Sequence, residues 1–164
     1  MSLKTDAHYR AVASDALKKA GIAEPPIPVE QLAQGYGIPM RQVSFPSFFS
    51  GAIVYEDGLP VIMINGAKDE AVRRKTLAHL LGHVLILIDD PSSGFPRNSN
   101  PDHREAEIVA QELLTPEFMI RDEAARWFND YRYLARLFGV PEAEMMRRML
   151  DMGIIKQRGV LWDY

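Results

Sequence analysis

The sequence predicts an α+β fold, and three observations carry that expectation. Helical periodicity dominates both ends of the chain. Between them, two apolar runs, residues 50–55 and 60–64, flank Glu56-Asp57-Gly58, and an Asp-Gly pair between apolar runs is a hairpin signal. A long apolar helical stretch, residues 68–88, follows the hairpin directly. Helices, a short meander and then helices again is the element order of an α+β domain.

Taken in order, residues 5–20 form an amphipathic helix with Ala11, Val12, Ala16, Leu17 and Ala20 on its apolar side and Gly21 as its stop. The stretch Glu24-Pro25-Pro26-Ile27-Pro28 is a rigid break, and Pro28 starts a short helix that ends at Gly35 or Gly37. Ile38, Met40 and Val43 alternate as in a strand, which would join the hairpin in a small antiparallel sheet. The helix over 68–88 carries Leu77, Leu81, Val84 and Ile88 as a core stripe and ends at Asp89-Asp90-Pro91. Residues 91–100, rich in Ser, Pro, Gly and Asn, read as a mobile surface loop. Asn100-Pro101 caps and starts a helix to Leu114, and Thr115-Pro116 breaks it and starts another to about Phe128. Two last helices, 131–138 and 141–152, are separated by Gly139. At 164 residues, one domain spanning 1–164 is expected, with residues 130–155 a helix-turn-helix-like pair within it.

Composition narrows the function classes. The chain is 47% hydrophobic and 25% charged, ordinary values for a globular protein. A net charge of -3 gives no electrostatic case for general nucleic-acid binding. With no cysteine, disulfides and thiolate metal sites are excluded, so a metal would have to sit on His, Asp or Glu. The longest apolar run, residues 84–88, is far too short to cross a bilayer, and residues 1–10 hold no apolar signal core; a cytoplasmic protein is the expectation.

The chemistry is concentrated in His79-Leu80-Leu81-Gly82-His83. Two histidines four apart on a helix lie within about 40° of each other and can grip one metal ion. Zinc proteases carry His-Glu-x-x-His, with the glutamate as general base; here that position is Leu80. A bland reading is also open, in which both histidines merely edge a buried helix. A catalytic zinc needs a third protein ligand. The helix after the loop offers Asp102, His103, Glu105, Glu107 and Glu112, of which Glu105 and Glu112 share a face with Ile108 and Val109. Acidic residues on an exposed helix face are usually just solvated.

Paired blocks of sequence resemble the ImmA/IrrE family of metallopeptidases. They are Val61-Ile62-Met63-Ile64-Asn65, then Arg73, then Thr76 to Val84 around the two histidines, then EAEIVAQELLTP from Glu105 to Pro116. The resemblance spans most of residues 5–155. It implies a zincin-like α+β domain whose active helix packs beside a small sheet, with His79, His83 and Glu105 holding one zinc ion. In that family the substrate is typically a helix-turn-helix repressor, which makes such a protein the implied partner. The catalytic glutamate falls on Leu80, which can neither take nor deliver a proton. A positioned acid/base is worth ~10² to 10⁴ in rate, so peptide hydrolysis should be very weak.

Three readings of Leu80 stand side by side: a natural pseudoenzyme, which is the favoured one; replacement of the missing base by Glu107 or Glu112; and a leucine introduced by cloning or mutation. Two further function classes also remain, a non-catalytic module that binds a partner with or without metal, and a DNA-binding regulator using Arg147 and Arg148. Against the last, residues 130–151 carry four arginines and four acids. Met145, Met149 and Met152 read as a core stripe, and Trp127, Phe128, Tyr131 and Tyr133 as an aromatic cluster between helices. His103 is placed to donate a hydrogen bond near a metal, or else is a surface histidine.

Overall fold

A computed structural model describes residues 4–46, 48–94 and 99–156. The architecture is α+β. The elements are α1 (Asp6–Lys19), α2 (Val29–Gly35), β1 (Met40–Val43), β2 (Gly51–Glu56), β3 (Leu59–Asn65), α3 (Glu70–Asp89), α4 (Asn100–Leu114), α5 (Glu117–Arg126), α6 (Tyr131–Phe138) and α7 (Glu142–Asp151), with a 3-10 turn at Pro91–Ser93. No helix among the described residues is long and apolar enough to cross a membrane. The described residues divide into two compact units, one drawn from residues 4–23 and 27–114, the other from 24–26 and 115–156.

In the first unit the hairpin forms as its Asp-Gly turn dictates. Asp57 and Gly58 both take positive φ, 52° and 80°, the twist a two-residue turn needs to keep Glu56 and Leu59 in register. The sheet departs from the antiparallel expectation in one respect. Its order is β1-β3-β2, with β2 antiparallel to β3 but β1 parallel to it, so the sheet is mixed. The cause is the connection over residues 44–50, which carries the chain past β3 before the hairpin returns it to the middle.

Asn65 holds that connection in place. Fully buried at the end of β3, its Oδ1 accepts from the backbone N–H groups of Phe45 (3.2 Å) and Ala67 (3.0 Å), and its Nδ2 donates to the carbonyl of Phe49 at 2.6 Å. A buried amide satisfied by backbone from both sides is costly to replace, because each orphaned group loses about 1–3 kcal/mol.

α3 starts with Asp69 accepting from Val72 N–H, and its Leu77, Leu81 and Val84 are buried as the stripe predicts. Ile88, expected on the same stripe, is 48% exposed at the helix end, where the core has run out. α4 packs against both α1 and α3. Its buried apolar residues include Ala106, Val109, Ala110 and Leu113, and Ala106 and Val109 lie against Gly82 of α3. Of the loop expected over 91–100, residues 95–98 lie outside the described residues.

The second unit holds α5, α6 and α7. Gly139 adopts the left-handed conformation (φ 69°, ψ 37°) that ends α6, and α7 begins three residues later. Met145 and Met149 are fully buried, as the stripe implies, whereas Met152, its third member, is half-buried at the end of α7. In the aromatic cluster, Trp127 and Tyr133 rings lie 4.5 Å apart, while Phe128 is exposed.

Candidate metal centre

α3 presents His79 and His83 one turn apart, and α4 brings His103 to them. His79 Nε2 lies 3.1 Å from His103 Nδ1 and 3.2 Å from His83 Nε2, and the third side, His83 Nε2 to His103 Nδ1, is 3.3 Å. Four ligands arranged tetrahedrally at the usual ~2.0–2.1 Å zinc–nitrogen distance stand about 3.3–3.4 Å apart. The three nitrogens thus already form one face of such a tetrahedron, to within a few tenths of an ångström.

Protonation supports the same conclusion. Glu107 Oε2 sits 2.9 Å from His79 Nδ1. That contact is the leading reason the Glu107 carboxyl titrates below its usual range, so the group is an ionised acceptor. With Nδ1 donating to that carboxylate, Nε2 is the His79 ring nitrogen that faces the cluster. His83 is buried, and burial, followed by the nearby His79 and His103, lowers its pKa to about 4, leaving it neutral near pH 7. Each ring nitrogen either donates or accepts, and three mutually close nitrogens cannot all be matched. If His83 and His103 both donate to His79, their own two N–H groups face each other. A divalent cation at the centre removes the conflict, since all three imidazoles then offer lone pairs. The donor set fits a metal, and Glu107 would be the outer partner orienting His79 toward it.

Glu105, the expected third ligand, is not in this cluster. Two residues on from His103, it projects about 160° away around α4. It faces α1, where it hydrogen-bonds Tyr9; burial first and that bond second raise the Tyr9 phenol to about 12. His103, which the sequence offers as a hydrogen-bond donor near a metal or a surface histidine, stands in the cluster itself. The available signal was helical phase: His103, Ala106, Glu107 and Ala110 fall on one flank of α4, Glu105 and Glu112 on the other.

Leu80 is 8% exposed. Its Cδ1 would lie 3.2 Å from a Cβ placed on Gly51, so it tucks under the start of β2, the outer strand of the hairpin. An apolar side chain thus occupies the position next to His79. Neither acid considered as a substitute is placed to replace it. Glu107 is engaged by His79, and Glu112 is buried about 180° around α4 from His103. For the DNA reading, Arg148 is buried, with its Nε donating to the Thr115 carbonyl at 3.3 Å.

The α3–α4 crossing that delivers His103 depends on Gly82. A Cβ there would stand 2.7 Å from the Ala106 carbonyl oxygen and 3.4 Å from Val109 Cβ. Because the obstacle is backbone, Gly82→Ala must push α4 away. Overpacking of this kind costs about 1–3 kcal/mol, offset in part by alanine's better helix propensity. The expected outcome is a lower urea midpoint together with weaker zinc retention against a competing chelator. Unchanged zinc retention would show that the crossing tolerates the methyl group.

An α+β domain that converges imidazoles from a His-x-x-x-His helix and the following helix, beside a small sheet, defines a zincin-like metallopeptidase domain. A family model described as the IrrE N-terminal-like domain, a peptidase family, matches residues 29–150. The chain belongs to this family. No curated protein matches the chain. Among solved structures, a Mycobacterium tuberculosis transcriptional regulator is similar in fold, with a TM-score of 0.62 at 18% identity over 87% of this chain and 46% of that one. The chain therefore spans about half the length of that regulator.

Proposed function

We propose that this chain is a metal-binding regulatory member of its peptidase family, holding one zinc ion on His79, His83 and His103 and hydrolysing peptides poorly or not at all. The observation that supports it is the triangle of imidazole nitrogens 3.1–3.3 Å apart beside a buried leucine. Bound there, zinc would polarise a carbonyl or acidify a water. The chain's own residues do the rest: Glu107 fixes the His79 tautomer, His83 stays neutral through burial, and Leu80 keeps the neighbouring space apolar. Leu80 supplies no group to take up a proton and return it to a leaving amine, so the protein retains the binding half of the chemistry. Its partner, by family resemblance, is a helix-turn-helix repressor, met in the cytoplasm and held without efficient cleavage.

The test is reconstitution. Chelated protein titrated with zinc should take up one equivalent per chain and gain thermal stability, and the zinc-loaded form should bind a candidate repressor and leave it intact. Failure to take up zinc stoichiometrically refutes the metal assignment. Repressor cleavage at a rate matching a Leu80→Glu variant refutes the loss of catalysis.

A further inference from the structure

On the side of α3 turned away from the histidines lies a cleft of about 570 Å³, within the size range of small-molecule sites. Its α3 wall is Glu70, Arg73, Arg74 and Leu77. At 100° per residue that face is centred about 150° from the His79–His83 face, so cleft and metal centre occupy opposite sides of one helix.

The lining is arranged by polarity. Val29, Ile64 and Leu77 are buried and Met40 is half-buried, which makes an apolar body. Arg73 and Arg74 are half-buried, whereas the acids Glu30 and Glu70 are exposed. The third arginine, Arg41, is exposed and held by both carboxylate oxygens of Glu56. Arg74 has Glu70 one turn away, and burial still pulls its guanidinium below its usual range. Arg73 makes no side-chain hydrogen bond or ion pair among the described residues. A guanidinium does not give up its proton at accessible pH, so one that is half-buried beside apolar side chains, with no carboxylate on it, favours an anion.

We infer that this cleft binds a small organic anion, with Arg73 gripping its acid group, Arg74 adding charge, and Val29, Met40, Ile64 and Leu77 packing an apolar body. A planar carboxylate suits the guanidinium fork two bonds at a time, and a phosphate does so equally. This site is separate from the metal centre and stands whether or not zinc binds.

Benzoate, phenyl phosphate and benzylamine are the probes, titrated into the isotope-labelled full chain with and without chelator and followed by backbone amide shifts. Saturable shifts on α3 near Arg73 and on β1 with either anion, present in both conditions, are the expected result, and the tighter anion identifies the head group. Benzylamine, with a similar body and opposite charge, should bind more weakly than both. Arg73→Ala should weaken the anions by about tenfold or more, as loss of a charged hydrogen bond predicts, and Arg73→Lys by less. The assignment is overturned by any of three outcomes: no saturable shift with either anion, benzylamine binding as tightly, or shifts confined to the surroundings of His79 that disappear with chelator. Anion affinity unchanged in Arg73→Ala overturns it as well. Should that variant fail to fold, the comparison of anions with benzylamine on the unaltered chain decides.

Discussion

His103→Ala should abolish stoichiometric zinc uptake, while Glu105→Gln should leave it nearly intact. This contrast is the sharpest expected of any pair of substitutions in the chain, because the two residues are two positions apart on one helix and point in different directions. Losing an outer-shell partner commonly costs 10- to 100-fold in metal affinity, and losing one of three direct ligands should cost at least about 100-fold. Removing the Glu105 carboxylate should act instead on Tyr9, whose phenol it contacts. Competition with a chromogenic chelator reads both variants. If Glu105→Gln loses zinc and His103→Ala keeps it, the third ligand is the carboxylate, and α4 must turn on its axis to reach the ion.

Leu80→Glu should produce two large and opposite changes. A carboxylate at that position gains the means to move protons beside the metal, and hydrolysis of a repressor substrate should rise by roughly 10² to 10⁴ over the unaltered zinc-loaded chain. Stability should fall. Leu80 is nearly buried beside Gly51, and exchanging its apolar burial for a charged group costs on the order of 2–4 kcal/mol. For a domain of this size each kcal/mol is worth about 2–4 °C in melting temperature. Leu80→Gln separates the two effects: it should share part of the destabilisation and gain no activity. A variant carrying glutamate that is as stable as the parent and equally inert would mean that the pocket lacks more than its base.

Much of this architecture was written locally in the sequence. The Asp57-Gly58 turn, the Gly139 stop and the stripe of Leu77, Leu81 and Val84 rest on neighbours within a turn or two and appear where the sequence puts them, while the cap of α4 falls on Ser99, one residue before the expected Asn100. His79 and His83 were legible for the same reason. What sequence alone obscured depends on distant pairing. The parallel partner of β1 is set by where the 44–50 connection is pinned, which Asn65 does from more than 15 residues away. The choice between His103 and Glu105 turns on which flank of α4 meets α3 and which meets α1, and so on the close approach at Gly82. The cleft beside Arg73 draws its walls from α2, β1, β3 and α3, and no contiguous motif announces it.

The spacing of the three imidazoles carries one more consequence. His83 and His103 lie 20 residues apart, on either side of the turn that leaves α3. A cation shared between them fastens the two helices to each other and closes that segment into a ring. In chain-entropy terms, covalently bridging a ring of this length is worth about 3 kcal/mol at the expense of the unfolded state. In a chain without a single cysteine, the ion would serve as the molecule's rivet, and stripping it would loosen the segment around Pro91 before anything else gave way.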